Sequence, residues 1–226
     1  MERRGQLGIL LTLGAAMSLG GCIAPAVKSE APAPLPSVVA LNDGHSVYEC
    51  SGNLYAVDQL EGAVLFHLSD HSRRLTQVSA DSDARYEDDA VMFWLKGDDA
   101  QLSFQGGPAQ DCDMRTDIGP WEMAQLRHVS FRAIGEKPGW ALEITNGRDI
   151  RFVGDRGQTD VSTEVPPPIT EPGRGRTEYY ATKDGHDLGV IIEDGACTDT
   201  MSGEEFEAKV AIELDGKDYM GCGRAL

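Results

Sequence analysis

The sequence predicts a mainly β protein built from two small antiparallel β domains. Short runs of alternating apolar and polar residues are separated by Gly, Pro, Asn and Asp, which is typical of strands joined by turns. No long amphipathic helix pattern is visible. About 190 of the 226 residues follow an unusual N-terminal stretch, and this exceeds the common size of one domain. We therefore expect one domain at residues 46–117 and a second at 118–226.

The first domain is expected to be an antiparallel barrel or sandwich. Its predicted strands include residues 53–58, 63–68, 90–95 and 101–105. Residues 111–120 are expected to form the junction between the two domains. Residues 121–125 follow it and are expected to form a short helical turn.

The second domain is also expected to be rich in strands, with one short helix. The predicted strands are residues 129–134, 140–145, 149–153, 158–163, 178–182 and 188–193. Residues 165–176 contain so many Pro and Gly that we expect a surface loop. Ser202-Gly203-Glu204-Glu205 fits a capping box that starts the short helix. Asp215-Gly216 between two alternating runs is a strong signal for a type I′ hairpin.

The N-terminus has the features of a bacterial lipoprotein signal. A charged start precedes an apolar run at residues 7–17, which is too short to span a bilayer. The run leads to Leu19-Gly20-Gly21-Cys22, which resembles the lipobox, whose Cys becomes the acylated new N-terminus. The alternative is an ordinary cleaved signal that happens to contain a Cys. We expect residues 1–21 to be the signal peptide and Cys22 to carry lipid, such as palmitate.

The residues after Cys22 indicate where the lipid places the protein. Ile23 follows the Cys, rather than the Asp that resembles an inner-membrane retention signal. We therefore expect attachment to the outer membrane, facing the periplasm. Residues 22–45 are rich in Ala and Pro and are expected to act as an extended tether.

The remaining four cysteines are expected to form disulfides. Four Cys allow three pairings, which an oxidising periplasm would let persist. Sequence proximity and the domain division favour Cys50–Cys112 and Cys197–Cys222. A metal site is the rival interpretation, but no Cys-x-x-Cys spacing supports it. We therefore predict neither a metal nor a cofactor.

The chain is strongly acidic, with a net charge of −17. Without residues 1–21 it has 36 acidic and 18 basic residues, so the net charge becomes −18. This charge argues against binding to nucleic acid or to an anionic lipid surface. It suits a basic protein partner, although it is also compatible with a merely soluble surface.

Residues 79–102 contain the most informative motif. A loop, Ser82-Asp83-Ala84-Arg85-Tyr86, is followed by a strand that ends in Trp94-Leu95-Lys96-Gly97. This segment resembles the membrane-bound inhibitors of C-type lysozyme. The resemblance covers residues 46–114, approximately, and implies a β-barrel that binds C-type lysozyme, an enzyme that is generally basic. It also implies that Ser82 and Lys96 enter the lysozyme cleft.

The chemistry of the cleft agrees with these two residues. Taken without the resemblance, Ser82 would be a solvated loop hydroxyl and Lys96 a charge at a strand end. A lysozyme cleft, however, holds one protonated and one ionised carboxyl group. An ammonium can pair with the ionised group, and a hydroxyl can hydrogen-bond to the other.

Two features of the loop leave its details open. Asp83 stands where the family usually has Gly, and its charge either weakens insertion or binds basic residues at the rim. Arg85 and Tyr86 match the family loop and are candidate lysozyme-binding residues, but they could equally pack and brace it. Phe93 and Trp94 alternate across a strand and are interpreted as packing residues.

The C-terminal half resembles an uncharacterised family of bacterial envelope lipoproteins. The shared features are Phe131-Arg132-Ala133, Pro138-Gly139-Trp140, Cys197-x-Asp199-x-Met201-Ser202 and Gly221-Cys222-Gly223. The resemblance covers residues 129–226 and implies a companion domain without an assigned chemistry.

No pattern favours an enzyme. His67 and His71 are spaced for a metal pair on a helix, but their segment is expected to be strand and turn. No nucleophile elbow, phosphate loop or nucleotide fingerprint is present. Two hypotheses remain, namely a lysozyme inhibitor and a structural or small-ligand-binding envelope lipoprotein.

Overall fold

The protein is mainly β, as predicted. A computed structural model describes residues 44–78, 84–97 and 99–226. Within these ranges the chain forms two antiparallel sheets and a single α-helix, α1. None of the described helices is long and apolar enough to cross a membrane.

The first sheet is a closed barrel of eight strands in sequence order. Its strands are β1 (His45–Cys50), β2 (Asn53–Leu60), β3 (Ala63–His67), β4 (Ser72–Val78), β5 (Arg85–Glu87), β6 (Val91–Lys96), β7 (Asp99–Phe104) and β8 (Gln110–Arg115). The barrel closes where β1 pairs with β8, and a disulfide joins Cys50 to Cys112 at that seam. Buried aromatic and aliphatic side chains from most of the strands fill its interior.

The second sheet has nine antiparallel strands. They are β9 (Phe131–Glu136), β10 (Gly139–Thr145), β11 (Asp149–Gly154), β12 (Thr159–Glu164), β13 (Ile169–Glu171), β14 (Arg176–Lys183), β15 (His186–Thr198), β16 (Glu205–Leu214) and β17 (Lys217–Ala225). Their order is β12-β11-β10-β9-β17-β16-β15-β14-β13. A second disulfide joins Cys197 on β15 to Cys222 on β17. Both disulfides are the pairs that the sequence favoured.

Helix α1 (Pro120–Leu126) connects the two sheets. Pro120 suits the first position of a helix, because its missing N–H would have no partner there. Ala124 is the buried residue of the helix. The predicted helical turn at residues 121–125 is therefore confirmed.

The short helix expected after Ser202 is absent from this described part of the chain. Residues 200–202 form a turn instead, and Glu205 already belongs to strand β16. The Ser202 hydroxyl and amide both donate hydrogen bonds to Asp199 Oδ2, so Asp199 organises a turn. From Phe206 to Leu214 every second residue is buried, which is the period of a strand.

Two predicted irregular segments contain strand. Residues 165–176 were expected to form a loop, but Ile169–Glu171 pair with β14 as an exposed edge strand. Residues 111–120 were expected to form the junction, but β8 continues to Arg115. In β8 the buried Cys112 lies between two outward-facing acidic residues. The segment is therefore a strand although its sequence is mostly polar.

The barrel and the second sheet meet through buried charged residues. Asp58 on β2 and His67 on β3 lie beside Arg127, which follows α1. Arg127 also pairs with Glu143 on β10. The division into domains at residues 46–117 and 118–226 stays a prediction, because these contacts join the two sheets.

Candidate functional site

The outer face of strands β5 to β8 carries a row of four neighbouring side chains. Arg85 lies opposite Trp94, Trp94 opposite Gln101, and Gln101 opposite Asp111. In each of these strands a residue adjacent to the row is buried in the barrel. These buried residues are Tyr86, Phe93, Leu102 and Cys112. Because side chains alternate along a strand, the row of four faces outward.

Lys96 lies two residues after Trp94 and therefore shares its outward face. Lys96 Nζ donates a hydrogen bond to Gln101 Oε1 at 2.8 Å and lies 4.1 Å from the centre of the Trp94 ring. Gln101 Nε2 in turn donates to Asp111 Oδ1 at 2.9 Å. The ammonium is thus held on the barrel surface by an amide and an aromatic face.

The segment that carries Ser82 precedes Ala84 and strand β5. Ser82 and Asp83 themselves lie outside the described residues. The chain continues at Ala84, whose carbonyl oxygen accepts a hydrogen bond from the Leu95 amide at 2.8 Å. This bond holds Ala84 beside β6, the strand that presents Lys96.

Arg85 and Tyr86 occupy different environments. The Arg85 side chain is 42% exposed, and its Nη2 lies 2.6 Å from Glu87 Oε2. Tyr86 is only 7% exposed and belongs to the barrel core. Arg85 is therefore available to a partner, whereas Tyr86 packs in the barrel interior. Phe93 also lies in the core, as its predicted packing role requires.

The acidic residues next to the loop have partners within the barrel. Arg73 Nε donates to Asp88 Oδ2 at 2.6 Å, and Arg73 Nη2 donates to Asp89 Oδ1 at 2.7 Å. Asp88 Oδ1 also accepts the amides of Ala90 and Val91. Burial opposes ionisation of Asp88, but these amides and Arg73 outweigh it and hold its pKa below the usual value. Arg73 therefore balances part of the negative charge of Asp88 and Asp89.

A second row of charged residues passes through Lys96. Asp99 lies opposite Lys96, Asp113 lies opposite Asp99, and Glu49 lies opposite Asp113. Glu49 pairs with Arg115, whereas Asp99 and Asp113 are exposed. Lys96 is thus a cation within an acidic outer face, an arrangement that suits a basic partner with a local negative group.

The histidines of the barrel pair with other side chains. His67 is fully buried, with Nε2 at 3.0 Å from Asp58 Oδ2 and Nδ1 at 2.8 Å from Ser72 Oγ. His71 is exposed and bonds to the neighbouring Asp70. Across residues 44–78, 84–97 and 99–226, no group of three or more His, Cys, Asp or Glu is placed to hold a metal ion.

Comparison with known families identifies the barrel. Residues 48–110 match the family model MliC, described as membrane-bound lysozyme-inhibitor of c-type lysozyme. The barrel is therefore similar to an MliC domain. No curated protein and no solved structure matches the chain.

The MliC match contains the residues that the sequence singled out. Ser82, Arg85, Tyr86 and Lys96 all fall between residues 48 and 110. The match ends within β8 and does not reach the second sheet. The resemblance of residues 129–226 to an envelope lipoprotein family therefore stays a prediction.

The structure adds two residues to the site that the sequence did not single out. Gln101 accepts a hydrogen bond from Lys96, and Asp111 accepts one from Gln101, but the two residues lie on two other strands. Their signal is the strand register, which the order of residues alone does not give. Trp94 was noted only as a packing residue, although it also lies against the ammonium of Lys96.

Proposed function

We propose that this protein inhibits c-type lysozyme by occluding the catalytic cleft with the face that carries Ser82 and Lys96. The observation that supports this most is the MliC match over residues 48–110, together with the outward placement of Lys96. An MliC domain belongs to a family of inhibitors rather than of enzymes. The protein itself therefore needs no catalytic residues, cofactor or metal for this role.

The chemistry of the proposed contact is complementary in charge. Lys96 pairs with the ionised carboxylate of the cleft, since an ammonium and a carboxylate form a strong charge-assisted hydrogen bond. Ser82 hydrogen-bonds to the other carboxyl group, for which a hydroxyl can serve as donor or acceptor. Arg85, which is partly exposed, contacts the rim. Tyr86, which is buried in the barrel core, would act by packing rather than by contact with the lysozyme.

The proposed location is the outer membrane, facing the periplasm. The family is described as membrane-bound, which agrees with an envelope protein. Cys22 would carry the lipid, and residues 22–45 would hold the barrel away from the membrane. In that position the inhibitor would meet lysozyme before the enzyme reached the cell wall.

The test is the inhibition constant of residues 37–226 against one c-type lysozyme. Lys96→Ala should weaken binding by about 2–5 kcal/mol, because it truncates one partner of a desolvated charge pair. Ser82→Ala should cost about 1–3 kcal/mol if the lysozyme group loses its partner. Lys183→Ala, at an exposed lysine on the second sheet, is the matched control and should inhibit like the parent.

The outcomes separate the two hypotheses. Thermal melts must first show that the variants fold like the parent. If both Lys96→Ala and Ser82→Ala then inhibit like the parent, occlusion by these residues is wrong. If the folded parent does not inhibit at all, the alternative of a structural or small-ligand-binding envelope lipoprotein is favoured.

A further inference from the structure

The ammonium of Lys96 is held in place before any partner binds. Its hydrogen bond to Gln101 Oε1 is 2.8 Å long, and the Trp94 ring lies 4.1 Å away on the same face. All three residues lie on the paired strands β6 and β7. Positions on paired strands are more rigid than positions on a loop, so this geometry can hold the ammonium in place.

The orientation of the Gln101 amide is also fixed. Its two ends differ, because Oε1 only accepts hydrogen bonds and Nε2 only donates them. Nε2 donates to Asp111 Oδ1 at 2.9 Å, which leaves Oε1 directed at Lys96. Asp111 thus determines which end of Gln101 meets the ammonium, although it does not bond to Lys96 itself.

We propose that Gln101, oriented by Asp111, is a positioning residue that presets Lys96 for the ionised carboxylate of the lysozyme. This inference rests on the proposed function and adds two residues to it. A long, flexible lysine loses much conformational freedom when it is immobilised in a complex. Holding it beforehand removes part of that loss at the moment of binding.

A neutral acceptor suits this role better than a charged one. An ammonium carries three N–H groups, so Lys96 can keep its bond to Gln101 and still donate to a carboxylate. An intramolecular carboxylate at position 101 would instead compete with the lysozyme carboxylate for the same charge. In this protein the carboxylate belongs to Asp111, which lies beyond Gln101 as seen from Lys96. It orients the Gln101 amide and does not pair with Lys96.

Three variants separate positioning from simple surface stability. Gln101→Met keeps the length of the side chain but removes the acceptor, and should raise the inhibition constant about tenfold. Gln101→Glu alone places a carboxylate beside Asp111 and should also inhibit less well. Combining Gln101→Glu with Asp111→Asn leaves the net charge unchanged. The carboxylate at position 101 can accept the hydrogen bond from Lys96, and the amide at position 111 can donate to that carboxylate. The combination should inhibit better than Gln101→Glu alone, because contacting sites are coupled.

A second readout comes from the free protein. NMR relaxation of the lysine ammonium groups should show Lys96 more ordered than the exposed Lys183, and Gln101→Met should abolish the difference. Asp113→Asn is the matched control, because it removes an exposed carboxylate on the same strand as Asp111. It should leave the order of Lys96 unchanged.

The results distinguish failure of this inference from failure of the proposed function. If Lys96→Ala loses inhibition while Gln101→Met inhibits like the parent, the positioning role is wrong and the occlusion mechanism stands. Equal mobility of Lys96 and Lys183 in the free parent would also overturn it. If Lys96→Ala inhibits like the parent, the proposed site is wrong and the positioning role is wrong with it.

Discussion

Asp58 on the barrel and Arg127 behind helix α1 form a buried ion pair, with Oδ1 and Nε 3.2 Å apart and side chains 11% and 5% exposed. Asp58 also accepts hydrogen bonds from His45 at 2.8 Å and His67 at 3.0 Å. Arg127 Nη1 donates to Glu143 on the second sheet at 2.8 Å. Charges of the barrel are therefore balanced by charges outside it, although the sequence suggested two separate domains.

This pairing predicts that the barrel is less stable without the second sheet. A chain of residues 37–117 lacks Arg127, so it should melt at a lower temperature than residues 37–226. In the longer chain, Asp58→Asn breaks a buried pair, which typically costs about 3–5 kcal/mol. In the shorter chain the same change should cost much less, because Arg127 is already missing. Equal costs in the two chains, measured by chemical denaturation, would show that the barrel is independent.

Acid should destabilise the protein through His67. Burial is the main reason that the pKa of His67 lies below its usual value; Asp58 opposes this effect, and the positive charges of Arg148 and Arg127 add to it. As the pH falls below about 6.5, the unfolded chain therefore binds a proton that the folded chain resists. The stability that His67 contributes is complete above that pH and is lost as the pH falls towards its folded pKa.

The measurement is the free energy of unfolding at pH 7.5 and pH 5.5. His67→Gln should reduce the loss of stability between these values, by at most about 1.4 kcal/mol per pH unit for one proton. His71→Gln replaces an exposed histidine and is the control; it should leave the pH dependence of the unfolding free energy like that of the parent. A parent and a His67→Gln variant with the same pH dependence would contradict this explanation. The carboxylate of Asp58 is not involved at these values, because the hydrogen bonds from His45 and His67 and the charge of Arg127 outweigh its burial and keep its pKa well below the usual value.

The local features of the fold were accessible from the sequence. The expected hairpin at Asp215-Gly216 is present, and both residues have positive φ, at 53° and 77°. Its signal is contained in two adjacent residues. Strand β4 was missed because only Leu75 of its seven residues is buried, so its alternation is weak. The capping-box pattern at Ser202 failed because Asp199 forms the local hydrogen bonds instead.

The candidate site could be predicted from the sequence only in part. The motif singles out Lys96 directly, and the alternation of Phe93 and Trp94 predicts only that one of the two faces the core. The contact of Gln101 with Lys96 depends on how β7 pairs with β6, and the contact with Asp111 depends on β8. The ion pair between Asp58 and Arg127 is even harder to predict from the sequence, because it forms only when the two sheets pack against each other. Long-range register and packing are therefore what the sequence left undetermined.

Membrane attachment should depend on Cys22. Cys22→Ser removes the proposed acylation site, so the protein should no longer fractionate with the outer membrane. A single acyl chain anchors a protein only marginally, whereas two or more chains hold it firmly. Cys197→Ser together with Cys222→Ser removes two other cysteines and should leave fractionation unchanged, which makes it the control. Unchanged membrane fractionation of the Cys22→Ser protein would exclude the lipoprotein assignment.

Salt should act mainly on the rate at which inhibitor and lysozyme associate. The secreted chain would carry a net charge of −18 and the proposed partner is basic, so the two attract each other at long range. Because about 0.15 M salt shortens the reach of this attraction to about 8 Å, raising the salt should slow association. Asp99→Asn with Asp113→Asn should reduce the association rate and its salt dependence, since both carboxylates are exposed beside Lys96.

Lys96→Ala should behave differently in the same experiment. It removes a contact that forms within the cleft, so its effect should appear mainly in a faster dissociation rate. Association and dissociation can be followed separately by surface-based binding at several salt concentrations. If Lys96→Ala sped up association, as the loss of a positive charge facing a basic partner should, and left dissociation unchanged, Lys96 would be acting only through the long-range field of the barrel. The ammonium would then have no direct contact with the catalytic carboxylate, and the acidic face alone would account for the binding.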